Sequence, residues 1–496
     1  MKKNSSYKSF KDFKVRLVYP NIQMCEMMPY SIGLLTAYLR KEGFTVDLFD
    51  TTFYVDKLND NYEAFHDYVQ EFDWKEKGRI FKSNIVKDFH KKIEEFDPDL
   101  ISISVVENTY PTARKMIKSL PDSMKKIPIM WGGVFATFAP HLILRDNIGD
   151  YVCRGEGEDA VMEFCKKLIT GGRIDNVLNF YTKDNGQIYR NKLRAAVDIN
   201  NVPVPDWDLF EPGSIYRPMQ GKIYRAVGVE TQRGCPYTCT YCNSPSNNVI
   251  YKEEVNRIFH RKKTIKRIKN ELDFLVKKYN PDLIYFVVDT FLAMSNREFD
   301  EFKEMYMDYK IPFWMNTRAE TITEHRASGL EDMNMLRTSI GLEHGNFEYR
   351  KNYLRRYVSD EVQIRAFEML ADKKYVTCAN CIIGMPDENR DLIFDTIKLI
   401  RKLPKSIDAT GAFIFAPYHG TPLRDLAIQK GYLKDDVIAS ISNTANTSIL
   451  TMPTISQQEI AGLERVFSLY VKFPKSRWDD IKIAEKFNEE GEAMFI

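Results

Sequence analysis

Residues 231–243 read TQRGCPYTCTYCN and set Cys235, Cys239 and Cys242 in the spacing Cys-x-x-x-Cys-x-x-Cys, directly after the β-branched run Val227, Val229, Thr231. A loop can turn three such thiols inward together, so they converge on one metal centre. Thiolates select iron–sulfur clusters, zinc or copper(I). A structural zinc site wants about four protein ligands, and the next His or Cys along the chain is His260. Three protein ligands on a 4Fe–4S cluster leave one iron open to a non-protein ligand, which suits catalysis better than electron storage. An odd number of thiols also cannot all enter a disulfide framework.

The rest of the composition frames that loop. The chain has 496 residues, 44% apolar and 28% charged, which suits a soluble protein of two or three domains. Its 71 basic and 69 acidic residues leave a net charge of +2, without bulk attraction to nucleic acid or an anionic membrane. No apolar run reaches the ~20 residues of a membrane helix. The opening MKKNSSYKSFKDFK has the lysines of a signal peptide but no apolar core, and reads as a polar tail. Eight Cys without a signal point to a reducing compartment, so a cytoplasmic enzyme is expected.

Upstream of the loop, strands and helices alternate. Strands are expected at 15–20, 44–49, 100–105, 127–131 and 151–154. Pro29–Gly43 is a helix with Pro near its start and Gly just past its end. Residues 54–96 read as a charged and aromatic insertion, a solvated cover or a lid. The alternation predicts a parallel, doubly wound sheet that binds ligands at the carboxyl ends of its strands. Ser102 and Ser104 fall near one such end, and Gly132-Gly133 at another, where glycine permits close backbone approach. Cys25, Cys153 and Cys165 read as ordinary buried thiols.

Downstream, strands are expected at 224–231, 283–289, 313–317, 335–341, 375–383 and 409–416, with helices between them. Six such units are fewer than the eight of a full barrel, so a partial (β/α)6 barrel follows. Polar residues gather at the strands' carboxyl ends: Asp289, Asn316 and Arg318, Glu343-His344-Gly345, Gly384, and His419-Gly420-Thr421-Pro422. His344 and His419 are the candidate acid–base or substrate-orienting groups. Cys378 and Cys381 lie three apart on a strand, pointing to opposite faces unless the strand breaks.

The cysteine loop resembles the signature of the radical S-adenosylmethionine (SAM) enzymes, with Arg233-Gly234 before the first Cys and Tyr241 before the last. Residues 14–170 resemble the cobalamin-binding domain of one large subclass. That likeness is carried by Pro20-Asn21, Ser102-x-Ser104, GGVFATFAP from Gly132 and CRGEGED from Cys153. The resemblance implies a Rossmann-like cobalamin-binding domain over 14–170 after a tail of 1–13. A proline-rich linker over 171–222, a radical SAM partial barrel over 223–425 and a helical cap over 426–496 follow. It implies that the three Cys hold a 4Fe–4S cluster whose open iron is chelated by SAM, with Tyr241 beside the adenine. Asp289 would meet the SAM amino group and Glu343 the ribose or methionine, while Asn316, Arg318 and Gly384 border SAM. Ser102, Ser104, Gly132 and Gly133 would meet cobalamin, without the Asp-x-His-x-x-Gly motif that offers a histidine to cobalt.

By the same resemblance, an electron from a flavodoxin- or ferredoxin-like donor cleaves SAM to a 5′-deoxyadenosyl radical. Methylcobalamin, held by the N-terminal domain over the barrel mouth, then gives a methyl group to a carbon of a small-molecule substrate. The alternatives are a radical cyclase or rearrangement enzyme of the same architecture and, from another class, a non-catalytic metal- or nucleotide-binding protein. The Glu-Ser-Gly usual after the fourth barrel strand is Glu343-His344-Gly345 here, and the Pro-Gly-Thr-Pro after the sixth is His419-Gly420-Thr421-Pro422.

Overall fold

The computed structural model describes residues 9–22, 27–55, 75–184, 186–408, 411–444 and 446–495. The tail to residue 8, Cys25 and residues 56–74 of the insertion lie outside the described residues. Two compact units divide the chain: residues 1–229 with 247–281, and residues 230–246 with 282–496.

In the first unit the short apolar runs form β1 (Lys14–Tyr19), β2 (Thr45–Asp50), β3 (Leu100–Ser104), β4 (Ile129–Gly132) and β5 (Tyr151–Cys153). These five pair in parallel in the order β2-β1-β3-β4-β5. Helices α1 (Tyr30–Lys41), α2 (Ile85–Phe96), α3 (Tyr110–Lys118), α4 (Glu158–Thr170) and α5 (Ile265–Tyr279) bury apolar stripes. In α2 the stripe is Ile85, Phe89 and Ile93, an i, i+4, i+8 series worth about 2 kcal/mol per buried side chain. The last part of the insertion is therefore the crossover helix between β2 and β3. Cys153 and Cys165 are fully buried, and burial pushes the Cys153 thiol up to about 12.

Two features differ from the sequence reading. Residues expected as linker form an antiparallel hairpin, β6 (Phe180–Asp184) and β7 (Gln187–Arg190), that extends the same sheet beyond β5. Most of β7 is exposed, so it lacks the apolar alternation that announces a strand. A second hairpin, β8 (Tyr216–Met219) and β9 (Lys222–Val229), turns on Gln220 and Gly221 with φ of 53° and 73°.

The second unit holds β10 (Leu283–Phe286), β11 (Phe313–Arg318), β12 (Met335–Glu343), β13 (Val376–Ile383) and β14 (Ala412–Ile414), parallel in the order β14-β13-β12-β11-β10. The intervening helices are α6 (Asn296–Tyr306), α7 (Glu324–Asp332), α8 (Asp360–Ala371), α9 (Arg390–Ile400) and α10 (Pro422–Gln429). Each begins on a side-chain cap, from Ser295, Thr323, Ser359, Asn389 and Thr421 in turn, worth about 1 kcal/mol apiece. This is the α/β architecture expected, a doubly wound sheet and a curled half-barrel sheet with C-terminal helices. Among those helices, α11 (Gln457–Lys472) packs on β14.

Burial alternates along β11, with Phe313, Met315 and Thr317 buried and Trp314 and Asn316 half-buried. Asn316 pairs with Ser339 and Arg318 with Gly341, which in turn pairs with Asn380, so these residues share one face near the carboxyl ends. The strand β13 runs through both of its cysteines: Cys378 Sγ donates to Asp408 and Cys381 Sγ to the Gly411 carbonyl. Among the described residues, no helix is long and apolar enough to cross a membrane.

Candidate active site

The cysteine loop opens the second unit, and its shape is fixed by bonds to segments far away in sequence. Gly234 takes a φ of 79°, a conformation that favours glycine. Arg233 forks onto the Glu230 carboxylate at 2.8 and 3.1 Å, and the Gln232 amide donates to the Thr290 carbonyl. At Thr240 the backbone N–H donates to the Leu354 carbonyl and the hydroxyl to that of Tyr353, while the Thr240 carbonyl accepts from Leu423 N–H.

Each cysteine sulfur has a polar neighbour. Cys235 Sγ lies 3.6 Å from Thr290 Oγ1, Cys239 Sγ accepts from Arg318 Nη1 at 2.9 Å, and Cys242 Sγ accepts from Ser244 N–H at 3.4 Å. Cys235 and Cys239 are buried and Cys242 half-buried. Burial pushes the Cys242 thiol up to about 12, a cost that metal coordination reverses by deprotonating the thiol outright. Among the described residues, no three His, Cys, Asp or Glu side chains gather as ligands of a single ion. A cluster asks for something different, one thiolate per iron, with donors onto the sulfurs to spread their charge. The donor set fits that demand.

Around the sulfurs lies a network of alternating charge. Arg318 sits over the Tyr237 ring at 3.9 Å and pairs with Glu320. The buried Arg356 donates to the Gly341 carbonyl and, at 3.1 Å, to the Tyr241 hydroxyl. That hydroxyl donates to Glu343 Oε1 at 2.9 Å, and burial raises its pKa well above the usual tyrosine value. Asp289 is exposed and accepts from Ser244 Oγ at 2.6 Å. The Glu343 carboxylate folds back over Gly341, where a Cβ would meet Glu343 Oε1 at 2.0 Å. A larger residue there would have to displace that carboxylate.

The structure therefore brings together Cys235, Cys239, Cys242, Tyr241, Asp289, Arg318 and Glu343. Asn316 lies half-buried on the face of β11 it shares with Arg318, and its carbonyl accepts from Phe291 N–H. Gly384, with a φ of 78°, ends β13 under Ile460 of α11. His419 is buried at the start of α10, beside Asp425, in a turn whose Gly420 carbonyl accepts from Ser246 Oγ. His344 is fully buried, and its ring faces Glu388. Sequence reasoning missed Arg356, Ser244 and Glu230, none of which carries a local signature.

In the first unit Ser102, Ser104, Gly132 and Gly133 lie toward the carboxyl ends of β3 and β4, with Ser102 paired to Met130 and Ser104 to Gly132. Gly133 has a φ of 93°, and a Cβ on it would stand 2.5 Å from the Val105 carbonyl oxygen. Val106 and Val134 follow those two strand ends and stay 49% and 41% exposed. Apolar side chains left uncovered at the carboxyl ends of a parallel sheet can take the face of a bound macrocycle.

Two family models match the chain. The B12 binding domain covers residues 26–165 and the radical SAM superfamily residues 229–400. An uncharacterized methyltransferase of Pyrococcus horikoshii is 27% identical over 356 residues, which is 70% of this chain and 73% of that protein. The anaerobic magnesium-protoporphyrin IX monomethyl ester cyclase of Rubrivivax gelatinosus is 23% identical over 456 residues, 90% of this chain and 73% of that one. Among solved structures, the cobalamin-dependent SAM radical enzyme OxsB, with aqua-cobalamin and SAM bound, has a TM-score of 0.66 at 16% identity, covering 97% of this chain and 70% of its own. The radical SAM methyltransferase TsrM from Kitasatospora setae, with cobalamin and a [4Fe–4S] cluster bound, has a TM-score of 0.60 at 17% identity, covering 85% of this chain and 75% of its own. At these identities the structures show a shared fold.

Proposed function

As a cobalamin-binding radical SAM enzyme, the chain carries out, we propose, the transfer of a methyl group from methylcobalamin to a carbon of a small organic substrate. The cofactors are a 4Fe–4S cluster, SAM and cobalamin. The observation that carries the reading is the pairing of a B12-binding and a radical SAM domain in a chain whose relatives include methyltransferases.

Bound together, the cluster supplies the electron that cleaves SAM and cobalamin supplies the methyl group. The protein's own work is to hold, orient and shield. Cys235, Cys239 and Cys242 would hold the cluster, with Thr290, Arg318 and the Ser244 N–H donating to their sulfurs. Asp289, exposed beside Ser244, would meet the ammonium of SAM. Tyr241 and Arg356 hold the Glu343 carboxylate at a set position, so it meets a ribose hydroxyl or an amino group without first reorganising. Ser102, Ser104, Gly132 and Gly133 give the corrin a small-residue edge. The electron comes from a flavodoxin- or ferredoxin-like protein.

The cyclase relatives support a second reading, radical ring closure without methyl transfer. Co-products separate the two. The reconstituted enzyme with SAM deuterated in its methyl group should yield labelled product together with S-adenosylhomocysteine and 5′-deoxyadenosine. Cyclisation yields 5′-deoxyadenosine alone, and that outcome would replace the first reading. Serine at Cys235, Cys239 and Cys242 should abolish both iron loading and turnover. Full iron content in that variant would remove the cluster assignment.

A further inference from the structure

The sequence suggests an acid–base group in His344, but its surroundings point to another task. Pairing between β12 and β13 slips between Gly341 and Glu343, and Glu343 itself has a φ of 69°. That slip sends adjacent side chains apart. Glu343 turns to the Tyr241 hydroxyl beside the last cluster cysteine, while His344 turns into the protein and is fully buried. Its Nδ1 accepts the Asn346 N–H at 3.0 Å, which leaves the proton of a neutral ring on Nε2. Nε2 stands 3.0 Å from Glu388 Oε1. The contact is one of ion-pair distance and not a formed hydrogen bond, and among the described residues neither buried atom has a hydrogen-bond partner. A ring so enclosed does not reach a substrate.

Glu388 uses its second oxygen on the loop after β13. Its Oε2 accepts the backbone N–H groups of Gly384 and, at 3.0 Å, Met385. The rest of that loop is held from the same direction. His344 stacks on Tyr349 with ring centroids 4.3 Å apart, and Tyr349 stacks on Tyr353 at 4.4 Å. The Tyr349 hydroxyl donates to the Pro386 carbonyl at 2.7 Å, and the Tyr353 hydroxyl to Asp387 at 2.8 Å. The Tyr353 carbonyl, in turn, accepts from Thr240, the residue between Cys239 and Tyr241. Three stacked rings and one buried His–Glu contact thus join the cysteine loop to the Gly384–Glu388 loop.

We infer that His344 is a positioning residue: through Glu388 it fixes the Gly384–Met385 backbone against the cysteine loop, and so sets the cradle for the nucleoside part of SAM. The inference rests on SAM binding at the strand ends of the second unit and is independent of whether a methyl group is moved. Removing the imidazole leaves Glu388 Oε1 buried without a partner, a loss that weakens whatever the loop holds by about tenfold.

The test uses the full-length, iron-reconstituted protein and SAM. His344→Ala should keep its iron content and the absorbance of the cluster while SAM binding, read by equilibrium dialysis, weakens about tenfold. The change that SAM causes in the electron paramagnetic resonance spectrum of the reduced cluster should shrink in step. His344→Gln offers Glu388 an amide N–H and should recover most of the affinity. Unchanged SAM affinity in His344→Ala, or no recovery in His344→Gln, overturns the inference. So does loss of iron along with affinity, which would place His344 in the folding of the cysteine loop. If His344→Ala does not accumulate, Tyr349→Phe removes only the bond to Pro386. It should weaken SAM binding several-fold at full iron content, and wild-type affinity there overturns the inference equally.

Discussion

Arg318 Nη1 stands 2.9 Å from Cys239 Sγ, so one of the three cysteines proposed to hold the cluster has a guanidinium donor of its own. A positive donor on a ligand sulfur favours the reduced, more negative cluster and raises its potential. Arg318→Met should lower the midpoint potential of the reconstituted cluster by about 60 mV or more, the equivalent of a tenfold factor for a one-electron couple. Iron content should stay unchanged. Arg318→Lys should shift it less, although a lysine forgoes the planar stack over Tyr237, now at 3.9 Å. The check is a redox titration followed by electron paramagnetic resonance, and an unmoved midpoint in Arg318→Met would refute the assignment.

Gly341 offers a cleaner probe of Glu343 than replacing the glutamate. A methyl group at Gly341 would meet Glu343 Oε1 at 2.0 Å, yet the atom it strikes is the end of a side chain and not backbone. Gly341→Ala should therefore fold with little loss of stability while pushing the carboxylate off the Tyr241 hydroxyl. SAM affinity should fall several-fold with the thermal midpoint shifted by no more than a few degrees. An alanine variant that binds SAM normally would mean Glu343 has no part in holding it.

The cysteine loop was legible because its information is local: three thiols within eight residues restrict the chemistry before any fold is known. The strand ends were legible for a related reason, since Asp289, Arg318 and Glu343 interrupt apolar runs whose period reveals their direction. Arg356 was not. It stands next to Arg355 in LRRYV, and one of this pair is exposed while the other is buried against Gly341 and Tyr241. Nothing in the spelling separates them; only the φ of 53° at Arg355 does. His344 looked like a group at the barrel mouth because its position in the sequence is right, and the slip at Gly341–Glu343 that turns it inward is a backbone event without a residue signature.

Glu464 on α11 supplies a pH dependence unrelated to the cofactors. Burial pushes its carboxyl up to about 7, against about 4.3 for an unfolded glutamate. Between those values the folded chain binds more protons than the unfolded one, so stability falls as pH rises through the window, and the full cost is present above it. Glu464→Gln should stabilise the second unit at pH 8 and change little at pH 4. Denaturation midpoints of both proteins across that range are the check. Parallel pH profiles would show that this carboxyl titrates normally.

Val106 and Val134 test the first unit in the same spirit. Both follow the strand ends that carry Ser102, Ser104, Gly132 and Gly133, and both are largely exposed, so neither contributes much to the core. An apolar group lying on them would be in contact with both side chains. A charge placed there must shed its water when such a group binds, a cost of about 1–3 kcal/mol on the scale of protein mutations. Val106→Asp combined with Val134→Glu should therefore fold normally, keep a full complement of iron and lose at least about tenfold in cobalamin affinity. Retention of cobalamin absorbance through gel filtration is the measurement. Retention equal to the parent protein would move the corrin off these two strand ends, whatever the cysteine loop does.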